Sequence, residues 1–578
     1  MRLIRKIALL LLLAFTVVGA YAQNLQQYIP SDATFVVSMN LGNLDSKISF
    51  EKLKQYDFYK DAMKEFEREM AREDESLGEI AKNPSSVGIN VMKESYMFGK
   101  ITEESSLFGF IFNISDNKKF TKFFKEKVLP EANGVMGKTG KFETMSTNEA
   151  TFAWNDKVGI LVGGDVKENI EEGTSRETPI TAFSKSILSA KAKKSILADR
   201  RYLKATKGKK SDMRMWMDYQ WIFDMQTQGE DMAGVPGMEG MMDAVKDLYK
   251  DTDYMVELNF NDGAIVMDSK LYSNEETMAR IRKMTTGEIN KDFFKYLPKD
   301  NLMGYMSLAL NMANMADGMF EMFTPMIEEM GMTRTQLEDM ALESIKALGV
   351  EMDRKGLYEI IKGDMVFAVT GMREFTVKKT QYDEDFNKIE VEAKQNLPEF
   401  AFMMSYGQEP AVDKFLEMGV AFSGLVKMGD AYKVAVPIPD IPMDIFLAKR
   451  DGILFVTNNN DLVSGNLVSG YSKANTLSKN HVDMLKNNGM AFFWDIPETL
   501  KAAAGFARDE GALDKNAEKI INVSKQSLES MVITADKEIK DNYSSAFKLN
   551  FVNKKMNSLD QLFSYINEIY LTSMSGGM

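Results

Sequence analysis

The stretch YIPSDATFVVSMNL, from Tyr28 to Leu41, has a counterpart 268 residues later, YLPKDNLMGYMSLAL, from Tyr296 to Leu310. Both copies place a tyrosine, an apolar residue and a proline before an aspartate and a strand-like apolar run. Pro30 and Asp32 mark the start of a strand, and Pro298 and Asp300 do so in the second copy. The repeated stretch therefore predicts two structural units, each beginning near one of the two tyrosines.

Four further pairs of matched segments follow the two copies in the same order along the chain. The pairs start at Phe108 and Phe400, at Ala153 and Ala448, at Met215 and Phe492, and at Ala264 and Ala546. The third pair sets Asp218 opposite Asp495 and gives Trp216 and Trp494 equivalent positions. An ordered set of this kind is typical of internal duplication. We predict homologous halves at residues 23–288 and 289–578.

Each half is predicted to be α+β, with a largely antiparallel sheet and amphipathic helices packed on it. Apolar residues alternate with period two in the segments 35–39 and 264–271, and Asn261-Asp262-Gly263 is typical of a hairpin turn. Four serines are placed to cap helices, directly or through a neighbour: Ser49, Ser115, Ser273 and Ser558. Because strict alternation of strand and helix is missing, we prefer this fold to a doubly wound parallel one.

Residues 1–22 have the three parts of a secretory signal peptide. These parts are the cations Arg2, Arg5 and Lys6, the apolar core at 7–18, and the small residues of Ala20-Tyr21-Ala22. The apolar core is shorter than the roughly 20 residues that a membrane helix needs, and charges interrupt every later apolar run. We expect cleavage before Gln23 and an exported mature chain without a transmembrane segment.

The composition excludes several classes of chemistry. Without the three cations of the signal peptide, the net charge is near −16, which argues against nucleic acid as a partner. The chain has no cysteine, so disulfides, thiolate nucleophiles, thiolate metal sites and lipid attachment at a cysteine are excluded. The single histidine, His481, rules out multi-histidine metal sites, and we interpret it as a solvated surface residue near a helix start.

The start of the mature chain resembles a family of exported Bacteroidota proteins that is known only as a domain of unknown function. The resemblance rests on Ile29-Pro30-Ser31-Asp32-Ala33 before a strand, with a signal peptide ahead of it and a long amphipathic helix behind it. Members of that family are often lipoproteins, whereas this chain has no cysteine after the signal peptide. The resemblance implies a location in the cell envelope. It identifies no functional residues.

Three motifs resemble the signatures of penicillin-recognising serine enzymes. They are Ser49-Phe50-Glu51-Lys52, Ser115-Asp116-Asn117 and Lys138-Thr139-Gly140. A serine at a helix start with a lysine one turn later suits an acyl-enzyme mechanism. Lys138, however, follows Ser115 by only 23 residues, which is too short for the helical segment between these motifs in such enzymes. We therefore assign no catalytic residue.

Methionine is unusually frequent, with 44 residues in the chain. One set recurs in steps of three and four and therefore shares a helix face: Met312, Met315, Met319, Met322, Met326 and Met330. A Cu(I) site needs sulfur atoms that converge on one point, so we predict a core or partner-binding face and no metal site. The segment from Met225 to Val245 is predicted to be a linker or a mobile loop with an adaptable surface.

A cationic island interrupts the acidic chain between Lys191 and Lys210. Its cations are Lys191, Lys193, Lys194, Arg200, Arg201, Lys204, Lys207, Lys209 and Lys210, and Asp199 is their one acidic neighbour in that stretch. A lipid phosphate or an acidic partner would fit the island, and a solvated helix and turn is the simpler interpretation. Four tryptophans could stack on sugars: Trp154, Trp216, Trp221 and Trp494. The equivalent repeat positions of Trp216 and Trp494 favour a structural role in the core.

Export, duplication and the lack of reactive side chains favour a non-catalytic envelope protein that acts by binding or by structural association. The alternatives are an envelope hydrolase that uses two carboxylates, and a carrier whose methionine-rich surfaces hold apolar cargo. No catalytic, cofactor-binding or metal-ligating residue is assigned, and no cofactor is expected. We expect an envelope protein or a lipid as the partner, and a periplasmic rather than an extracellular location.

Overall fold

The structure is a computed structural model of the chain. It describes residues 25–71, 84–90, 93–102, 105–132, 134–166, 179–189, 192–208, 211–221, 238–285, 287–298, 302–382, 386–435, 443–464, 477–509 and 512–575. The predicted signal peptide, residues 1–22, lies outside the described residues. None of the described helices is both long enough and apolar enough to cross a membrane.

The strands of the described chain fall into two series. The first series is β1 (Phe35–Met39), β2 (Ile89–Asn90), β3 (Ser95–Ile101), β4 (Ser105–Ile114), β5 (Val135–Thr139), β6 (Phe142–Ser146), β7 (Ala150–Trp154), β8 (Val158–Val166), β9 (Met213–Asp218), β10 (Asp253–Asn261) and β11 (Ala264–Tyr272). The second series is β12 (Gly304–Ala309), β13 (Ile361–Tyr382), β14 (Lys388–Tyr406), β15 (Leu425–Met428), β16 (Ala431–Val434), β17 (Phe446–Arg450), β18 (Ile453–Thr457), β19 (Asn488–Asp495), β20 (Leu528–Asp536) and β21 (Tyr543–Phe551).

The α-helices lie between these strands and after the last of them. Up to β11 they are α1 (Leu41–Lys47), α2 (Phe50–Leu53), α3 (Asp57–Ala71), α4 (Asn117–Phe123), α5 (Leu129–Ala132), α6 (Pro179–Ser189), α7 (Arg200–Thr206) and α8 (Met238–Tyr249). Beyond β11 they are α9 (Glu275–Met284), α10 (Met312–Glu329), α11 (Arg334–Ala347), α12 (Arg354–Tyr358), α13 (Glu409–Ala421), α14 (Asn460–Ser464), α15 (Lys479–Asn487), α16 (Ile496–Asp509), α17 (Lys515–Ser527) and α18 (Ser558–Ser575). Short 3-10 helices precede β1 and β12 at Leu25–Tyr28 and Lys291–Tyr296.

The chain forms two compact units, and neither unit is continuous in sequence. The first unit consists of residues 1–222, 251–272 and 553–578, and the second unit consists of residues 223–250 and 273–552. The predicted halves, 23–288 and 289–578, have other bounds than these units, because they rest on matched sequence segments and not on packing. They stay a prediction.

The first unit contains an antiparallel sheet in which many neighbouring strands are distant in sequence. The strand order is β11-β10-β9-β1-β3-β4-β8-β7-β6-β5, and β2 also pairs with β4. The predicted hairpin turn is present, because Asn261 pairs with Ala264 and leaves Asp262 and Gly263 as the loop. Gly263 has φ +70°, which strains a residue with a side chain.

The second unit has the same strand order, built from the second series. That order is β21-β20-β19-β12-β13-β14-β18-β17-β16-β15, and again every pair is antiparallel. The matched segments of the sequence occupy the same places in the two orders. The predicted α+β fold with largely antiparallel pairing is therefore confirmed, and the parallel alternative is wrong for the described strands.

The register corrects one detail of the matched segments. Trp216 is 1% exposed and belongs to the core, whereas Trp494 lies opposite Gly304 and is only partly buried. When Asp218 and Asp495 are aligned as strand ends, the residue that matches Trp216 is Phe493. Side chains alternate between the faces of a strand, so this difference of one residue places the two tryptophans on opposite faces. They are not equivalent.

The two largest apolar clusters form most of the core of the first unit. Val36 and Trp216 belong to one cluster, which also contains Tyr28 from the repeated stretch. Phe124 and Trp154 belong to the other cluster, where their ring centroids are 4.6 Å apart. The alternating burial of strand residues produces this arrangement, because each strand presents every second side chain to one face.

The core of the second unit includes the second copy of the repeated stretch. Tyr296 and Tyr305 are both buried there, together with Phe455 from β18. The hydroxyl of Tyr296 donates a hydrogen bond of 2.6 Å to Asp451, so the buried ring keeps a partner for its polar atom. The two tyrosines that open the repeated stretch, Tyr28 and Tyr296, are both buried in a core, but the hydroxyl of Tyr28 has no hydrogen-bond partner among the described residues.

Three helices, α8, α9 and α18, pack in the unit that does not contain the strand before them. Helix α18 follows β21 of the second unit but packs in the first unit against α1, α3, β10 and β11. Helix α9 follows β11 of the first unit but packs in the second unit against α10, where α8 also packs. The helix that ends each strand series therefore contributes to the other unit.

The helix starts confirm three of the predicted caps and correct one. Ser49 accepts a hydrogen bond from the third backbone N–H that follows it, at the start of α2. At α9 and α18 the capping side chains are Asn274 and Asn557, which are neighbours of the predicted serines. At α4 the prediction of Ser115 is wrong, because Asp116 is the cap.

Candidate functional site

The serine and lysine of the first enzyme-like motif have structural partners. The hydroxyl of Ser49 accepts the backbone N–H of Lys52, while the Nζ atom of Lys52 lies 2.5 Å from the carboxylate of Asp560. The two side chains thus have partners other than each other, whereas an acyl-enzyme mechanism needs the lysine to face the serine hydroxyl. The structure therefore offers no support for an acyl-enzyme at this position.

The other two enzyme-like motifs belong to separate structural elements. Asp116 caps α4, and the side-chain amide of Asn117 donates a hydrogen bond of 2.9 Å to Asp156. Lys138 and Thr139 are the last residues of strand β5. In the described part of the sheet β5 pairs only with β6, so it is an edge strand and not an inner one.

The methionine stripe lies on helix α10 of the second unit. Met312, Met315 and Met326 are partly buried, while Met319 and Met330 are 48% and 58% exposed. The helix contacts α8, α9, α11, α12 and β13, so one face is covered. The side chain of Met322 lies outside what the structure describes.

The glycine- and methionine-rich segment is helical in its second part. Residues 238–245 belong to α8, which corrects the prediction of an irregular loop for that part. Residues 225–237 lie outside the described residues. Helix α8 packs on α10 in the second unit.

His481 is not the solvated surface residue that we predicted. It lies on α15 with a partly buried ring, and its Nδ1 atom is 3.1 Å from the hydroxyl of Tyr305. Its ring meets Phe493 edge-on, with 4.4 Å between the centroids. Burial lowers the pKa of His481, which keeps the ring neutral near pH 7. The histidine is part of an aromatic contact.

The cationic island contributes one inward-facing side chain, Arg201. Its guanidinium lies 3.3 Å from Asp218, 3.3 Å from Asp253 and 3.6 Å from Asp199. Lys204 lies above the ring of Tyr272, at 5.7 Å from the centroid. Three of the cations lie outside the described residues: Lys191, Lys209 and Lys210. Arg201 is therefore a structural residue. The interpretation as a solvated helix and turn applies only to the other described cations of the island.

Asp253 is the most perturbed carboxyl in this group. It is 1% exposed, and its Oδ1 atom forms no hydrogen bond within the described residues. Burial raises the pKa of Asp253 to about 7, against the lowering effect of Arg201, and the nearby carboxylates of Asp218 and Asp199 raise it further. The described residues contain no group of three acidic or histidine side chains that could hold a metal ion.

The feature with the chemistry of a binding site is an apolar pocket in the first unit. Its volume is about 360 Å³, which falls in the lower part of the range of roughly 300–1,000 Å³ for ligand pockets. We call it the α1–α18 pocket. Its lining residues are Met39, Leu41, Leu44, Asp45, Ile48, Phe50, Leu53, Phe58, Tyr59, Met213, Phe260, Leu559 and Phe563.

Helix α1 forms one wall because of its sequence pattern. Leu41, Leu44, Asp45 and Ile48 follow the spacing of i, i+3, i+4 and i+7, which places them on one face. Asn40 starts the helix by accepting the backbone N–H of the third residue after it. The helix is therefore set at the end of β1 with its apolar face towards the pocket.

An ion pair holds α1 against the sheet. Lys47, the last residue of α1, pairs with Asp212, which is 1% exposed. Asp212 also accepts the backbone N–H of Phe260 at 2.7 Å, so the same carboxylate positions a lining residue from β10. The sheet side of the pocket is completed by Met39 and Met213, which are cross-strand partners in β1 and β9.

Aromatic rings from three helices form the opposite wall. The rings of Phe58 and Phe563 stack with 5.9 Å between centroids, and the ring of Phe50 meets Tyr59 edge-on at 6.1 Å. The first of these contacts joins α3 to α18. Because Phe58, Tyr59, Leu53 and Phe563 are all partly exposed, the pocket is open to solvent on this side.

Hydrogen bonds attach α18 to α2 and α3. Asp560 accepts from Lys52 and from Tyr56, whose hydroxyl lies 3.0 Å from the carboxylate. The side-chain oxygen of Asn567 accepts the backbone N–H groups of Asp57 and Phe58 at 2.6 and 3.3 Å, and so caps the start of α3. The aromatic wall is therefore held in place by polar contacts outside the pocket.

Only two side chains bring oxygen atoms into the lining, Asp45 and Tyr59. One oxygen of Asp45 accepts the backbone N–H of Phe50 at 3.1 Å. Burial raises the pKa of Tyr59 to about 12, so its hydroxyl stays protonated at neutral pH. The pocket is thus almost wholly apolar, with one acceptor and one hydroxyl.

The sequence analysis identified none of the lining residues as a site. The signals were nevertheless present in α1, where an asparagine cap precedes two leucines, an aspartate and an isoleucine at helical spacing. The contribution of Leu559 and Phe563 had no such signal, because about 500 residues separate them from α1. Only the packing of α18 brings these residues together.

Solved structures with some similarity include two crystal forms of TP0453. Form IV is 10% identical with a TM-score of 0.24, and the match covers 43% of this chain and 81% of that one. Form I is 7% identical with a TM-score of 0.22, covering 44% and 81%. A likeness of this extent supports no conclusion about function.

A search of curated protein sequences finds no match. A family profile, however, matches residues 25–467, which is well over half of the chain. The matched residues begin before the repeated stretch, as the resemblance at Ile29-Pro30-Ser31-Asp32-Ala33 led us to expect. The chain belongs to the family described as Domain of unknown function (DUF4836).

Proposed function

We propose that the protein is a non-catalytic binding protein that holds an apolar chain in the α1–α18 pocket. The observation that carries this proposal is the lining of the pocket, in which eleven of thirteen side chains have no oxygen or nitrogen atom. A cavity without polar partners is a poor site for water, so an apolar group fills it more favourably. This proposal combines two roles from the sequence analysis, action by binding and the carriage of apolar cargo.

The energetics favour a flexible hydrocarbon chain as the occupant. Each CH₂ group that moves from water into an apolar site contributes about 0.8 kcal/mol. Met39 and Met213 supply unbranched, adaptable side chains on the sheet side, which suits a chain whose conformation varies. The methionine-rich helix α10 is not part of this pocket, so the carrier role shifts from the predicted stripe to the first unit.

The alternative of a carboxylate-dependent hydrolase has less support. Such an enzyme needs two carboxyl groups that face each other across a substrate cleft. The α1–α18 pocket contains one carboxyl group and no tryptophan. Asp218 and Asp253, elsewhere in the first unit, are cross-strand partners that both pair with Arg201, so these carboxylates have a structural partner within the fold.

We further propose that the two strand series arose by duplication. The support is their identical order, together with five pairs of sequence segments at equivalent places in it. A chance origin would have to reproduce ten strand positions as well as the reciprocal placement of α9 and α18. On this proposal the homologous halves are residues 23–288 and 289–578.

Export to the cell envelope is also part of the proposal. Residues 1–22 have the composition of a signal peptide, and the resemblance to exported Bacteroidota proteins supports the same address. A periplasmic protein with an apolar pocket would carry or retain a membrane-derived amphiphile. Cell fractionation followed by N-terminal sequencing tests this part, and a chain that keeps Met1 in the cytoplasm would contradict it.

The binding proposal is tested with N-phenyl-1-naphthylamine, a probe whose fluorescence rises in an apolar site, and with 1-dodecanol as a competitor. We expect saturable binding of the probe and its displacement by dodecanol. Filling the pocket should remove both signals, so Leu53→Trp is expected to weaken binding at least about tenfold, which corresponds to roughly 1.4 kcal/mol. Leu53 lines the pocket and is only partly buried.

The matched control is Leu203→Trp on α7, at a leucine of the same unit that is 43% exposed and outside the pocket. It should leave binding unchanged. A second pocket-filling variant, Leu44→Phe, guards against a tryptophan that turns outwards. Binding that survives both pocket variants, or that is absent in the unaltered protein, would refute the proposal.

A further inference from the structure

We propose that the α1–α18 pocket selects a single-chain amphiphile whose head group donates hydrogen bonds and carries no negative charge. An alkyl alcohol or an alkylammonium ion has this chemistry, and a fatty-acid anion does not. This inference rests on the proposed function, because it specifies the ligand of the same pocket. It is carried by the one charged side chain of the lining and by the pairing of the lysines around it.

Asp45 provides the recognition group. Its Oδ1 atom is occupied by the backbone N–H of Phe50, and the described residues give its Oδ2 atom no hydrogen-bond partner. Asp45 is partly buried and lines the pocket, so its carboxylate lies at the edge of an apolar cavity. An acceptor in this position favours a donor on the ligand, and it opposes a second carboxylate by charge repulsion.

Tyr59 completes the polar edge of the pocket. Its hydroxyl is protonated at neutral pH and has no hydrogen-bond partner among the described residues. A hydroxyl both donates and accepts, so it fits an alcohol or an ammonium head group as well as Asp45 does. The carboxylate of Asp45 and the hydroxyl of Tyr59 are the whole polar content of the lining side chains.

The lysines of the same segment do not compensate the charge of Asp45. Three of them occur between positions 47 and 54, and each has an acidic partner in the first unit. Lys47 pairs with Asp212, Lys52 pairs with Asp560, and Lys54 pairs with Glu51 at 2.9 Å. An anionic head group would therefore meet Asp45 without an unpaired cation of this segment beside it.

The test compares three ligands with the same chain and different head groups: 1-dodecanol, dodecylammonium and dodecanoate. Each displaces N-phenyl-1-naphthylamine from the full-length protein at pH 8, below the concentration at which it forms micelles. The alcohol and the ammonium ion are expected to bind at least about tenfold more tightly than dodecanoate, because repulsion between close carboxylates exceeds roughly 1.4 kcal/mol.

Asp45→Asn supplies the decisive variant. The asparagine keeps an oxygen for the backbone N–H of Phe50 but removes the charge, so the fold is preserved. We expect the preference against dodecanoate to shrink to about threefold or less, with little change for dodecanol. The matched control is Asp165→Asn, at an exposed aspartate near the end of β8, which should keep the full preference.

The outcomes separate this inference from the proposed function. If none of the three ligands displaces the probe, the proposed function fails. If all three bind equally, or if dodecanoate binds best, the pocket binds chains but the inference about the head group is wrong. A preference that is unchanged in Asp45→Asn would also overturn it, because another group would then be the source of selectivity.

Discussion

Asp253 shows how one buried carboxyl group makes stability depend on pH. Burial raises its pKa from the ordinary value of 3.8 to about 7, although Arg201 lies 3.3 Å away and lowers it. Below about pH 4 the group is protonated in both the folded and the unfolded chain. Between about pH 4 and pH 7 the unfolded chain releases the proton while the folded chain retains it, so the stability due to this group is lost as the pH rises.

Replacing the carboxyl with a neutral amide removes this dependence. Asp253→Asn is expected to stabilise the protein more at pH 8 than at pH 5, with a difference of roughly 1 to 3 kcal/mol. Chemical unfolding of both proteins at the two pH values measures it. The exposed substitution Asp165→Asn is the control, and a stability difference that does not change with pH would contradict the pKa assignment.

The histidine and the tryptophans show what single residues revealed before the fold was known. His481 was interpreted from its polar neighbours in sequence, and those neighbours do not include Tyr305 and Phe493, which are its contacts in space. Trp494 was paired with Trp216 by residue type, and the register shows an offset of one position. The type of a residue therefore did not predict which residues surround its side chain.

Helix α18 is the element that completes the candidate site. It contributes Leu559 and Phe563 to the pocket, and its polar side chains bind the segment that contains α2 and α3. The rest of the pocket comes from α1 to α3 and from the sheet. A change on α18 outside the pocket should therefore alter both the stability of the first unit and the exchange of a ligand.

Asn567 is the most suitable position for this test, because its oxygen caps α3 through two backbone N–H groups. Asn567→Ala is expected to lower the free energy of unfolding by about 1 kcal/mol, the usual effect of losing a cap. Release of N-phenyl-1-naphthylamine, followed by stopped-flow fluorescence, should become faster as the wall loosens.

The control on the same helix is Ser573→Ala. The hydroxyl of Ser573 is exposed and donates only within its own helix, to the carbonyl of Ile569. It should alter neither the stability nor the release rate by more than a few tenths of a kcal/mol. If Asn567→Ala behaved in the same way, α18 would not be holding the wall of the pocket.

The whole molecule is organised by the reciprocal placement of α9 and α18. Each compact unit contains a helix that follows a strand of the other series. The integrity of the first unit therefore depends on the last described segment of the chain, although the rest of that unit precedes residue 273. This dependence makes a prediction about the folding of the full chain.

Removal of residues 553–578 should loosen the first unit. Ile48 and Phe260 would lose Leu559, with which they form a small apolar cluster. Hydrogen exchange, read by mass spectrometry, is expected to speed up in α1 to α3, and the apolar probe should no longer bind. The β17–β18 hairpin of the second unit serves as the internal reference. Unchanged exchange in α1 to α3 would contradict the role given to α18.

Much of the fold was predictable because its signals are local. Alternating apolar residues indicated the strands, Asp262-Gly263 indicated a hairpin, and Ser49 indicated a helix start, and all three are present. The order of matched segments also predicted the equivalence of the two strand series. The candidate site was not predictable in this way, because the residues that line it are far apart in sequence.

The sequence by itself determined the classes of chemistry that are absent, the α+β character, and the two strand series with their matched segments. These properties depend on composition and on short-range periodicity, which a single chain segment contains. The tertiary structure alone decided where α18 packs, which face each tryptophan occupies, and that α1 and α18 enclose an apolar pocket beside Asp45. The physical reason is that burial and binding depend on which surfaces meet, and contacts across more than 500 residues leave no local pattern.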